Sequence, residues 1–158
     1  MSMKTRIRHF FGSSRQYVVV GASTNPSKFG FKILLWYVSR DLPVIPVNPR
    51  EKEILSQPVA STISEVLETI KNQSQGDAKK DGISISFLTP PSITTKTIEE
   101  ISQTPGFEHL VKGLWFQPGS YDQEVLDVTE KTGLGDIMIH EDECILVRGD
   151  QGMYNANL

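Results

Sequence analysis

The chain has 158 residues, about one domain's length, and at this size a fold buries roughly 68–70% of the unfolded surface, so no metal or disulfide staple is needed. Sixteen Lys and Arg against nineteen Asp and Glu leave a net charge of −3, which excludes a strongly basic nucleic-acid binder. A single cysteine, Cys144, excludes a disulfide framework and a cysteine-cluster zinc site, and the longest purely apolar run, Ile33 to Val38, is too short to span a membrane. The expectation is one domain over residues 1–158 in a reducing compartment, cytoplasmic, with neither nucleic acid nor membrane as partner.

The first 40 residues carry no acid, while Lys4, Arg6, Arg8, Arg15, Lys28, Lys32 and Arg40 all precede Asp41. Such a start suits an organellar, mitochondrial transit segment, which is Arg- and Ser-rich and acid-poor. It equally suits a short basic helix, about Thr5 to Phe11, leading into the first strand. We favour the helix, within a basic arm over residues 1–15, because the strand begins by Tyr17.

Tyr17 to Val20 is a short β-branched run ending in glycine, the pattern of a buried strand. A helix follows from Pro26 or Ser27 to about Ser39. Pro43 to Val47 reads as a second strand whose prolines belong at an end or an edge. Thr62 and Glu65 then form a capping box for an amphipathic helix with Ile63, Val66, Leu67 and Ile70 on one stripe. Lys71 to Gly82 has almost no apolar residue and reads as a mobile surface loop. Ile83 to Leu88 is a third strand, and after Thr89-Pro90-Pro91 a helix starts near Ser92 with Ile93, Thr97 and Ile101 on one face. Gly113 to Phe116 is a fourth strand. The next helix has Ser120 as N-cap, Gln123 closing the box, Asp122 and Glu124 in its first turn, and Gly133 past its end. Asp136 to His140 is a fifth strand, Cys144 to Val147 a short extended piece, and Gly149 to Leu158 a polar, frayed tail.

About five strands separated by helices of this length imply right-handed crossovers and one parallel sheet covered on both faces: an α/β, Rossmann-like, doubly wound three-layer sandwich. In such a sheet, ligands sit beyond the carboxyl ends of the strands. The site loops are therefore Gly21 to Gly30, Asn48 to Lys52, Thr89 to Pro91, Gln117 to Ser120 and His140 to Cys144. The first is the most informative. Its backbone N–H groups and the helix start behind it suit a phosphate, Ser23, Thr24 and Asn25 can donate further hydrogen bonds, and Lys28 supplies charge. A plain tight turn with an asparagine cap would read the same way.

The loop is not the dinucleotide fingerprint. Glycines would be required at positions 21, 23 and 26, and the chain has Gly21, Ser23 and Pro26. The second strand ends Val47-Asn48-Pro49-Arg50, with Lys52 beyond, where a binder of NAD carries an acid for the ribose. Basic residues there suit a ribose bearing a phosphate, as in NADP or in the 3′-phosphate of CoA.

The motif G-A-S-x-N-P at residues 21–26, V-I-P-V-N-P at residues 44–49 and the cysteine after the fifth strand resemble the stand-alone CoA-binding domain family (YccU-like), related to the N-terminal domain of the succinyl-CoA synthetase alpha subunit. The resemblance runs from about Arg6 to Arg148. It implies a domain that holds CoA by its nucleotide end, with Gly21, Ala22, Ser23, Thr24 and Asn25 on the phosphates, Lys28 and Gly30 beside them, and Val47, Asn48, Pro49 and Arg50 by the adenosine. It also implies that Thr89, Pro90, Pro91, Gln117 and Pro118 flank the ligand. Lys28-Phe29-Gly30 is bulkier than usual for the family, and Lys71 to Gly82 has the look of an insertion.

Catalytic residues are not evident. A ligase of the succinyl-CoA synthetase type needs a phosphorylated histidine in a further domain and an ATP-grasp partner, and this chain has only His9, His109 and His140. His140 with Glu141 and Glu143 could supply acid–base chemistry, but such a cluster is more often a solvated loop. No second histidine stands at metal-ligand spacing, and Ser23 has no evident triad. The expected function is binding of CoA or an acyl-CoA without catalysis, as sensor, carrier or module, with a partner enzyme and a homo-oligomer both left open. The rivals are an NADP-dependent oxidoreductase and an interaction module with an unused nucleotide cleft.

Overall fold

Every side chain of the first strand, β1 (Arg15–Val20), is buried, yet successive residues go to opposite faces of a sheet. Tyr17 and Val19 join one core, Val18 and Val20 another. The computed structural model, which describes residues 1–73 and 79–158, builds both cores around a five-stranded parallel sheet. Its strands are β1, β2 (Val44–Val47), β5 (Gly82–Phe87), β6 (Val111–Phe116) and β7 (Met138–Ile139), in the order β2-β1-β5-β6-β7. A two-stranded hairpin, β3 (Glu53–Ile54) and β4 (Gln57–Pro58), lies outside it. Around the sheet are α1 (Met3–Phe10), α2 (Phe29–Ser39), α3 (Ile63–Lys71), α4 (Pro91–Ser102), α5 (Phe107–Leu110), α6 (Gln123–Lys131) and α7 (Ile145–Asn155). The α/β Rossmann-like fold read from the sequence is the one observed. None of the described helices is long and apolar enough to cross a membrane.

One face is mainly aliphatic: Ile63, Val66 and Leu67 of α3, Ile98 and Ile101 of α4, and Val125 of α6 pack on Ile83, Ile85 and Phe87. The other, under α1, α2 and α7, is aromatic, with Phe10, Phe11, Tyr17, Trp36, Tyr37 and Trp115 in one cluster. The alternation Ile-Ser-Ile-Ser-Phe in β5 serves both faces at once. Ser84 and Ser86 are wholly buried on the aromatic side, where Ser84 Oγ donates to the Phe10 carbonyl at 2.6 Å and Ser86 Oγ shares a 2.8 Å bond with the Tyr37 hydroxyl. Buried hydroxyls need such partners. Burial pushes the Tyr37 phenol upward, so it stays protonated.

The basic N-terminal segment is tied down by its own arginines. Arg6 donates to the carbonyls of Gly135 (3.0 Å) and Met138 (2.8 Å), and Arg15 donates to the carbonyls of His9 and Phe10 at the end of α1 and pairs with Asp81 at 2.9 Å. Cations at a helix C-terminus satisfy its last carbonyls.

Several boundaries differ from the sequence reading. The stretch Cys144 to Val147 and the expected frayed tail form one element: Cys144 is the N-cap of α7, which is packed rather than frayed. The β-branched run suggested a strand, but Gly149 is pressed on the Trp36 ring and Gly152 lies against Ile7 and Phe11, and this packing outweighs the poor helix propensity of glycine. The fifth strand is only Met138–Ile139, behind a 3-10 turn at Gly135–Ile137. The cap of α6 is Asp122, which accepts from the Val125 N–H at 3.0 Å; Ser120 is instead buried, closing a turn onto the Gln117 carbonyl. Ile93 is 42% exposed, and the buried stripe of α4 runs through Thr94, Thr97, Ile98 and Ile101. Of the loop expected over Lys71 to Gly82, Lys71 ends α3, Gly82 opens β5 and Asp81 is paired, while residues 74–78 lie outside the described residues.

Gly149→Val forces a side chain into Trp36 and should lower stability by about 1–3 kcal/mol, roughly 2–10 °C in Tm for a chain of this size. Val147→Ala, at a position 78% exposed, should stay within about 0.5 kcal/mol. Equal melting curves for the two variants would mean that α7 does not dock. Arg40 pairs with Asp150 at 2.6 Å across α2 and α7, and this hydrogen bond holds the Asp150 carboxyl below its ordinary value. A depressed acid stabilises above its unfolded pKa of about 3.9, so the contribution of the pair is complete at neutral pH and lost as pH falls below about 4. Asp150→Asn should therefore narrow the gap to the parent in acid melting curves.

Candidate functional site

From β1 the chain runs outward to β2, then crosses back to β5 on the other side of β1. The loops leaving β1 and β5 thus diverge, and a crevice opens between them, as open parallel sheets require. Gly21 stands at its floor with φ +93°, a left-handed conformation that disfavours any side chain. A Cβ there would also come within 3.1 Å of Leu88 and Thr89. Gly30, in the first turn of α2, faces Gly21: a Cβ on it would collide with the Gly21 carbonyl oxygen. Gly30 therefore performs the close helix-to-strand packing that the fingerprint assigns to its third glycine.

Between these glycines the loop folds on itself. Ser23 Oγ accepts from the Asn25 N–H at 3.0 Å, and Asn25 Oδ1 accepts from the Ser27 N–H at 3.0 Å and the Ser27 hydroxyl at 2.7 Å. Asn25 caps this turn and not the helix, which begins later than expected, at Phe29, with Lys28 as a cap residue lacking a side-chain bond. The N–H groups of Ala22, Ser23 and Thr24 find no acceptor among the described residues. Phe29 and Gly30 open a helix, whose first N–H groups have no intrahelical partner. Unpaired donors of this kind suit an anion.

Asn48 fastens the second loop to the first. Its Nδ2 donates to the Ala22 carbonyl at 2.9 Å, and its Oδ1 accepts from the Arg50 and Glu51 N–H groups at 2.8 and 3.2 Å. Across the crevice, Thr94 Oγ1 bonds to Thr89 Oγ1 at 2.8 Å, fixing the loop into α4.

The resulting cleft measures about 500 Å³ and is walled by Gly21, Ala22, Ser23, Lys28, Gly30, Asn48, Thr89, Pro90 and Pro118, all given a place at the ligand from the sequence, by Phe29 and Gly119, which lie within the expected site loops, and by Leu88, which lies outside them. It adjoins a second hollow of about 200 Å³ that shares Gly21, Asn48 and Thr89 and extends past Val47 and Pro49 to Ser61, Thr62, Ile63, Ile93, Thr97 and Glu100. These last residues come from α3, α4 and the turn before α3, and no sequence signal marked them. Thr24, Asn25 and Arg50 are exposed and line neither space; Pro91 begins α4.

Gln117 is buried. Its Oε1 accepts from the Ile145 N–H at 3.0 Å, and its Nε2 has no partner among the described residues. With Cys144, Phe29, Ile33, Leu88 and Pro118 it walls a small cavity of about 60 Å³ next to the main cleft, which shares Phe29, Leu88 and Pro118. Cys144 therefore stands at the same sheet edge as the loops. His140 to Glu143 forms a turn into α7: Glu141 and Asp142 have positive φ, Asp142 is bonded to the Tyr121 hydroxyl, and Glu143 pairs with Arg148.

The chain is thus an α/β protein with an open crevice at the switch point of its sheet. The family model described as a CoA binding domain matches residues 15–150, and the chain belongs to that family. Among solved structures, it resembles a conserved hypothetical protein from Pyrococcus furiosus, 31% identical, with a TM-score of 0.64 over 85% of this chain and 98% of that one. A hypothetical protein from Pyrococcus horikoshii (18% identity, TM-score 0.71, 95% of this chain and 92% of that one) and a protein from Thermus thermophilus (17%, 0.69, 96% and 99%) share the fold. No curated protein matches the sequence.

Gly30→Val should break the contact with Gly21 and cost about 1–3 kcal/mol. The loss should appear as faster amide exchange in residues 21–30 ahead of the rest of the chain. Uniform exchange across the molecule would show that the loop does not depend on this contact.

Proposed function

We propose that this protein binds CoA or an acyl-CoA by its nucleotide end, and that it acts as a carrier, sensor or partner module without chemistry of its own. The observation that carries this reading is the crevice at Gly21 to Gly30 in a chain of the CoA binding domain family. The pyrophosphate lies on the unpaired N–H groups of Ala22 to Thr24 and the start of α2, with Lys28 supplying charge. The adenosine lies by Val47 to Pro49, with Arg50 and Lys52 at the rim for its 3′-phosphate. The pantetheine arm runs past Phe29 and Pro118 toward Cys144.

Phosphates bind backbone donors and cations in charge-assisted bonds, each worth about 1.5–3 kcal/mol. Calorimetric titration should therefore give CoA about tenfold or more tighter binding than dephospho-CoA or NAD. Equal affinity for CoA and dephospho-CoA would remove the role of Arg50 and Lys52, and a preference for NADP would favour an oxidoreductase. Ser23→Leu should abolish CoA binding with little change in Tm, because the half-buried Ser23, unlike its neighbour Ala22, belongs to neither core. Binding that survives this substitution would place the ligand elsewhere.

CoA should also slow alkylation of the Cys144 thiol, the single cysteine of the chain. A rate unaffected by saturating CoA would mean that the arm does not pass this cavity.

A further inference from the structure

A carboxylate does stand near the end of the second strand, although the sequence there offers Arg50. It belongs to Glu100 of α4, which reaches the smaller hollow from the opposite wall. Glu100 is half-buried and held in one orientation: its Oε1 accepts from the Ser64 hydroxyl at 2.6 Å and from the Ser64 N–H at 3.3 Å. Its other oxygen, Oε2, has no hydrogen-bond partner among the described residues. Around it the hollow is largely apolar, with Val47, Ile63 and Ile93 in its walls, and it opens into the main cleft past Gly21 and Asn48.

An apolar slot beside a phosphate-binding loop suits a flat heterocycle, and a carboxylate oxygen can only accept. Adenine carries an amine, a donor, at position 6; hypoxanthine and guanine carry an oxygen there, an acceptor. A base with the oxygen would set two acceptors against each other in this half-open hollow, and sites built to hydrogen-bond one group reject its mismatched analogue strongly. We infer that the base of the bound nucleotide occupies this hollow and that Glu100 Oε2 accepts a hydrogen bond from its 6-amino group, so that Glu100 selects adenine over 6-oxo purines. The inference rests on the CoA reading above. The carboxylate that dinucleotide binders carry at the end of the second strand and direct to the ribose is here supplied by a helix, α4, and directed to the base.

The test is calorimetric titration of the full chain with CoA and with the analogue whose adenine is replaced by hypoxanthine. The parent should prefer CoA by about tenfold or more, the cost of one mismatched hydrogen bond to a charged group. Glu100→Gln is the informative variant. Its Oε1 can keep both Ser64 donors, which sets the Nε2 amide, a donor, where the free oxygen was. The preference should then shrink to less than about threefold or invert in favour of hypoxanthine. A parent that binds both coenzymes equally overturns the inference without need of a variant. So does a Glu100→Gln protein that weakens both equally, which would put the ribose, and not the base, on Glu100. Failure of the parent to bind CoA at all overturns the reading of function and this inference together, whereas CoA binding without base discrimination overturns this inference alone.

Discussion

The approach of Gly30 to the Gly21 carbonyl sets the geometry of the whole carboxyl edge of the sheet. A helix can follow a buried strand this closely only if its residue at the contact carries no side chain, which is Gly30, while Gly21 owes its glycine to a left-handed φ and to the approach of Leu88 and Thr89. Because α2 is drawn in at its first turn, the residues between, Ala22 to Ser27, must loop outward and close on themselves through Ser23 and Asn25. That loop leaves backbone donors unpaired, and the same docking brings Phe29 over the small cavity and Trp36 against Gly149 of α7. The crevice, the aromatic core and the seat of the last helix share one origin.

Polar groups inside this frame serve mainly to join elements that sequence alone would leave separate. Asn48 ties the loop after β2 to the loop after β1. Arg15 joins the end of α1 to β5 through Ser84 and to Asp81, and Arg6 joins α1 to the approach to β7. Each of these side chains has several partners, as buried donors require. The basic character of the first residues, ambiguous as a string of letters, is accounted for in part by two arginines that hold the N-terminal helix onto the sheet.

What was legible in the sequence followed from period and punctuation. The strand at Tyr17 to Val20, the N-cap at Thr62 (whose expected partner Glu65 bonds instead to the Ser61 N–H) and the first loop from Gly21 could be read because local spacing decides them. The aromatic cluster, by contrast, depends on Phe10, Trp36 and Trp115, residues distant in sequence that meet only after folding. The last helix was hidden for the same reason: its glycines look like breaks until Trp36 and Phe11 are seen against them. At the site, the residues following strands were found because strand ends announce them. Ile63, Ile93 and Thr97 were read only as packing positions and Glu100 not at all, because they sit on helices whose facing the period gave only roughly, as the exposure of Ile93 shows.

The prolines of the second strand carry one further consequence. β2 is an outer strand of the sheet, and a free strand edge is a template onto which another chain can add. Here Pro46 has no N–H to offer, its carbonyl is taken by the Ala60 N–H at 3.0 Å, and the next outward N–H, that of Asn48, goes to the Ala60 carbonyl at 3.0 Å. A short piece of the protein's own backbone thus occupies the edge that would otherwise recruit a stranger. The residues that frame the crevice also guard the sheet against sticking to its own kind, and crowding of many copies should not readily zip them together along this side.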